Sequence, residues 1–158
     1  MNKISDNMPE AEDIELEQLR LKRMQQMMAQ RPSQEEIENK GPQIPTGIVH
    51  LNDQIFDQYL QEYKDTPIFI DYWAEWCGPC KRIAPVIETL ERKYRGKMIF
   101  AKVNTDEEQR LAMRFNIMSI PNFHIFYNGR VVDNFVGALR AQQFEARIVN
   151  VLKRLKKL

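Results

Sequence analysis

The run PIFIDYWA, Pro67 to Ala74, is apolar at every position except Asp71, so a strand built from it has two faces that both need cover. A sheet with one face open to water cannot hold such a strand. From Gly47 onward, apolar runs alternate with amphipathic stretches, which is the pattern of an α/β sheet with covering helices.

The neighbouring segments extend this pattern. Ile48 to Leu51 reads as a short first strand. Asn52 then offers a side-chain oxygen to cap a helix striped by Ile55, Phe56, Tyr59, Leu60 and Tyr63. A second helix is predicted to start within CGPC and run to about Arg95, with Ile83, Val86, Ile87, Leu90 and Tyr94 on one face and a kink at Pro85. MIFAKVN, Met98 to Asn104, is the next strand, followed by a helix from about Asp106 to Phe115. NFHIFYNGRVVDNFVG reads as a hairpin turning at Asn128-Gly129. The last helix places Phe144, Ile148, Val151, Leu152 and Leu155 on one side.

The first 46 residues read differently. Asp13 to Gln30 are nearly all strong helix formers, with Ile14, Leu21, Met24 and Met28 spaced as one amphipathic helix. RPSQEEIENKGPQIPTG follows, with a linker's composition, so the domain boundary is placed near Thr46: an extension over 1–46 and a domain over 47–158. Charge divides at the same point, with 6 Lys+Arg against 9 Asp+Glu before it and 17 against 13 after it. Part of the basic excess lies in the terminal KRLKKL, which suits a helix C-terminus and lacks the aromatic interleaving of a nucleic-acid footprint. Met24, Met27 and Met28 offer an adaptable face for a partner or for self-association. No apolar run is long enough to span a membrane, and MNKISDNMP has no apolar core of a signal peptide; cytoplasmic residence is the expectation.

Both cysteines of the chain lie in WAEWCGPCK. A C-x-x-C pair outside a secreted scaffold indicates metal binding or redox work. Zinc takes about four ligands, and besides Cys77 and Cys80 the chain offers only His50 and His124, so no metal is expected. His124, on a strand, reads as a satisfied structural residue, and Trp73 as core packing. Cys77 at the helix N-terminus is stabilised as a thiolate by free backbone N–H groups. Cys80, one turn on, lies deeper, which divides the pair into an exposed attacker and a buried resolver. Pro79 sits where a missing N–H costs nothing, and Gly78 keeps the attacker accessible. Resolution needs a base for Cys80. Asp71, six residues before Cys77 and raised in pKa by desolvation, can take that proton directly or through a water, and Lys102 on the neighbouring strand is its charge partner.

WCGPCK after a strand containing Asp71 resembles the thioredoxin family, and the likeness continues through FAKVNTDE, NIMSIPNFHIFYNG and FVGAL over residues 47–158. The resemblance implies a thioredoxin fold: a central mixed sheet of about five strands covered by helices on both faces. It implies a protein thiol-disulfide oxidoreductase with Cys77 as nucleophile, Cys80 as resolving thiol, Asp71 as buried acid/base, Lys102 as its partner and Pro121 as a cis-proline facing the disulfide. Trp76, Gly78, Pro79, Ile120, Gly137 and Ala138 would line the substrate surface. Its partners would be disulfide-containing proteins and a reductase or equivalent electron donor, with no nucleic acid, no membrane and no bound cofactor. Asn122 departs from the Thr more usual after the cis-proline, and residues 1–46 have no counterpart in the compact family domain. The competing functions are a disulfide former or isomerase, and an adaptor that works through the N-terminal helix.

Overall fold

The computed structural model describes residues 11–29 and 42–158. The chain divides into two compact units, Met1–Gly41 and Pro42–Leu158. In the first, helix α1 spans Ala11–Ala29. Its side chains Ile14, Leu16, Leu19, Leu21 and Met24 are all exposed. Apolar exposure is therefore not confined to the expected stripe of Ile14, Leu21 and Met24. Met27 and Met28, and the Pro/Gly-rich stretch up to Gly41, lie outside the described side chains.

The second unit runs β1 (Ile48–His50), α2 (Phe56–Glu62), β2 (Ile68–Trp73), α3 (Gly78–Tyr94), β3 (Ile99–Asn104), α4 (Gln109–Arg114), β4 (Asn122–Tyr127), β5 (Arg130–Val136) and α5 (Ala141–Arg154). Its five strands form one sheet in the order β1-β3-β2-β4-β5. β1, β3 and β2 are parallel, β4 runs antiparallel to β2, and β5 antiparallel to β4. β2 is central, as its sequence demanded.

Strand alternation sorts β2 between two cores. Phe69 joins Ile83, Ile87 and Leu90 of α3 and Phe144, Ile148 and Val151 of α5 on one side. Ile68, Ile70 and Tyr72 join Phe56 and Leu60 of α2 and Leu111 of α4 on the other. Asp71, two residues beyond Phe69, is thereby turned toward the α3 side. The sheet position that makes the run doubly covered also delivers the carboxylate to the cysteine-bearing helix.

Two helices start later than the sequence predicts. Asn52 Oδ1 accepts from the backbone N–H groups of Gln54 and Ile55 at 3.1 Å each and its carbonyl from Phe56 N at 3.1 Å, so Asn52 caps a first turn as expected; the regular part of α2 begins after that turn, at Phe56, and Ile55 is left exposed. Asn104 Oδ1 accepts from Asp106 N at 3.0 Å in the same way, and α4 begins at Gln109. Each Asn carbonyl also accepts from the N–H four residues on, so each closes one helical turn; the first leads into α2, whereas Glu108 (φ −108°, ψ 54°) separates the second from α4. At the hairpin, Asn128 (φ 51°) and Gly129 (φ 69°) both take the left-handed backbone that a tight two-residue turn requires.

His124 is buried, but its Nδ1 has no hydrogen-bond partner, so it is not the satisfied residue its sequence position suggests. Its ring meets Tyr72 edge-on at 5.1 Å and Phe115 at 5.9 Å, and neither offers a polar atom in reach of that nitrogen. Burial holds its pKa below the ordinary histidine value. The neutral ring is thus preferred in the fold, and its contribution to stability is complete above about pH 6.5 and is lost as pH falls below that through the lower folded-state value. His124→Leu is expected to stabilise the chain by about 1–2 kcal/mol at pH 5, with a smaller gain at pH 8, read by denaturant unfolding at the two pH values.

Candidate active site

β2 ends at Trp73, and four residues later the chain enters α3, whose N-cap is Cys77 (φ −81°, ψ 99°). Cys77 Sγ accepts the backbone N–H of Cys80 at 3.2 Å. The two sulfurs are joined as a disulfide, with Cα atoms 5.3 Å apart. Pro79 sits in the first turn of the helix, where no N–H is needed. A Cβ added at Gly78 would meet only the end of Arg82 at 3.6 Å, so neither packing nor backbone demands glycine there.

Both cysteines are buried, at 2% and 3% exposure. The expected division into an exposed attacker and a buried resolver is therefore absent from this disulfide form. The sulfurs pack against Ala74, with Trp73 and Ile120 partly covering them. What separates the pair is its surroundings. Cys77 holds the helix cap, whereas Cys80 lines a cavity of about 120 Å³ together with Asp71, Trp73, Glu75, Lys81, Ala84 and Lys102. That volume admits several waters. A larger open groove of about 540 Å³, between Asn52–Gln54 and Asp106–Arg110, has no sulfur in its wall.

Asp71 is 1% exposed, and its Oδ1 has no hydrogen-bond partner. Burial pushes its pKa up to about 7, against the downward pull of Lys102. Asp71 and Lys102 are register partners on adjacent strands. Among the described ion pairs there is none between them. The Lys102 ammonium lies 4.9 Å over the Trp73 ring instead, so it acts on the carboxylate through space. Glu75 and Lys81 pair at 2.9 Å where the cavity meets solvent.

The remaining predicted residues come from the entry to α3, the 120–121 turn and the segment after β5, and of these Ile120 packs against the cysteines. Trp76 is 71% exposed, and its indole N–H donates to Asp106 Oδ2 at 3.0 Å. The Ile120–Pro121 bond is cis. Pro121 O accepts from Gly137 N at 2.8 Å, which joins the cis-proline loop to the end of β5. Gly137 (φ 94°) occupies backbone that favours glycine, and Ala138 beside it is exposed. Asn122 is buried with Oδ1 unpartnered, so its side-chain oxygen does not tie the loop down.

Three contributors were not named from sequence: Asp106, which holds Trp76; Glu75, which pairs with Lys81; and Met118, 84% exposed on the cis-proline loop. Nothing in their local pattern marks them, since each depends on a contact or an exposure set by the fold.

A family model described as Thioredoxin matches residues 47–150. The chain is similar to the thioredoxin of Pseudomonas aeruginosa, at 42% identity over 99 residues, which cover 63% of this chain and 91% of that protein. Thioredoxin 1 of a Nostoc species is 43% identical over 89 residues, 56% of this chain and 82% of its own. The M-type chloroplastic thioredoxin of Spinacia oleracea is 43% identical over 100 residues, 63% of this chain and 55% of its own.

Proposed function

The chain belongs to the thioredoxin family and is a protein-disulfide reductase working through the Cys77–Cys80 pair, and on that premise we propose how its residues divide the reaction. Cys77 is the nucleophile. Its thiolate attacks one sulfur of a substrate disulfide, forms a mixed disulfide and releases the other sulfur as a thiolate. Cys80 then loses its proton to Asp71 through water in the shared cavity and attacks Cys77 Sγ. The Cys77–Cys80 disulfide forms, and the substrate leaves as a dithiol carrying two electrons.

The observation that carries this division is the cavity, which is bounded by Cys80 and Asp71 and not by Cys77. A proton acceptor whose pKa lies near neutrality is matched to moving a proton at working pH. Lys102 tunes that carboxylate, and Trp73 shields the cavity. The substrate rests on Trp76, Gly78, Pro79, the Ile120–Pro121 turn, Gly137 and Ala138. The dithiol carries the electrons itself, so no bound cofactor is needed.

The substrates are disulfide-containing proteins, and a reductase returns the oxidised pair to the dithiol. Among the described residues no helix is long and apolar enough to cross a membrane. A reducing compartment such as the cytoplasm is the proposed setting; the plastid named for the spinach relative is an alternative of the same redox kind. Helix α1 serves association.

A coupled assay tests the direction of this chemistry. With NADPH and a flavoprotein disulfide reductase, the chain is expected to reduce insulin through many turnovers while failing to reactivate scrambled ribonuclease efficiently. Efficient reactivation with little insulin reduction would make it an isomerase instead.

A further inference from the structure

Helix α1 carries Ile14, Leu16, Leu19, Leu21 and Met24 at 47% to 59% exposure. Five large apolar side chains within eleven residues are more than scattered surface, and they leave area that a neighbour would cover. Ile14 and Leu21 stand one heptad apart, with Met24 three residues on, which is the a-a-d spacing of a helix seam. Leu16 and Leu19 lie on the opposite side of the helix and do not contribute to that seam.

The order of charge identifies the neighbour. Residues 12–17 hold four acids and no base, and residues 20–23 hold three bases and no acid. Two such helices laid parallel set acid against acid and base against base. Laid antiparallel, each acidic half runs beside a basic half, and Glu17 at d and Arg20 at g are the charges next to the seam. This order also suits the dipole of a lone helix, but the dipole gives no account of apolar side chains left in water.

We infer that α1 pairs with the α1 of a second copy of this chain, antiparallel through the Ile14–Leu21 seam, with Glu17 at the seam meeting Arg20 of the other copy. This rests on reading α1 as an association element and is independent of the sulfur chemistry, which lies in the other unit. The pairing brings two dithiols into one assembly.

Sedimentation of the reduced full chain over a concentration series tests it. A monomer–dimer equilibrium is expected, with its dissociation constant weakened roughly tenfold between about 50 mM and about 500 mM salt as the cross-helix pairs are screened. E17K and R20E are each expected to be monomeric, and their equimolar mixture to dimerise again. All three samples should reduce insulin at the unaltered rate, which checks that the second unit is folded. A monomer at every concentration, species larger than a dimer, association tightened by salt, or a mixture that stays monomeric would each overturn the pairing.

Discussion

Cys80→Ser is expected to trap a covalent, stoichiometric adduct between Cys77 and a disulfide substrate, while Cys77→Ser traps none and reduces nothing above background. The asymmetry follows from where each sulfur stands. Cys77 caps α3 and its Sγ accepts the Cys80 backbone N–H, so a thiolate there keeps a donor and the positive end of the helix. Cys80 faces the Asp71 cavity and becomes a thiolate only after giving up its proton. A serine hydroxyl in place of Cys77 is almost wholly protonated at neutral pH, so turnover should fall on the order of a thousandfold or more. Mass spectrometry of non-reduced, acid-quenched samples reads the adduct. An adduct on Cys80 in the Cys77→Ser chain would reverse the two roles.

Asp71→Asn separates catalysis from stability. A carboxyl held near pKa 7 by burial is protonated in the folded chain at pH values where the unfolded chain has already ionised it. Between about pH 4 and about pH 7 the folded state therefore binds more protons, and stability falls as pH rises through that window. Above it, the cost of a buried, unpartnered carboxylate is present in full. Asn carries no charge, so Asp71→Asn should raise the unfolding free energy by roughly 2–4 kcal/mol at pH 9 and change it little at pH 4. Decay of the Cys77 mixed disulfide should slow by about a hundredfold near neutral pH once the proton acceptor is gone. Denaturant unfolding at the two pH values and stopped-flow reduction measure the two effects. An unfolding free energy at pH 9 that is not raised, together with unaltered resolution, would remove Asp71 from both roles.

The readable parts of this chain were those where a pattern has one physical solution. PIFIDYWA had to lie centrally between two covered faces, and Asn128-Gly129 had to turn a hairpin; the sheet shows β2 in the middle and positive φ at both turn residues. The position of Asp71 followed as well, because two-residue alternation from Phe69 sets its face. The Asn52 cap was legible and is present, whereas the start of α4 was not, because Glu108 leaves helical backbone after the turn that Asn104 closes. The burial of Cys80 was legible from its place one turn into the helix, but that of Cys77 was not. Ile120, which packs against the cysteines together with Trp73, comes from a loop some forty residues along the chain. Lys102 was expected beside Asp71, and the register places it there, but the ammonium turns to the Trp73 ring, a choice made by packing. Nor did the sequence of β4 reveal that His124 Nδ1 would be left unpartnered, because that depends on Tyr72 and Phe115 from two other segments.

The most direct test of the chain as a protein-disulfide reductant is the reduction potential of the Cys77–Cys80 couple, measured on the full chain by equilibration with glutathione buffers and quantification of free thiols. A reductant requires a value more negative than the glutathione pool that surrounds it, below about −240 mV. A value near −180 mV or more oxidising, the range of disulfide isomerases and formers, would contradict it.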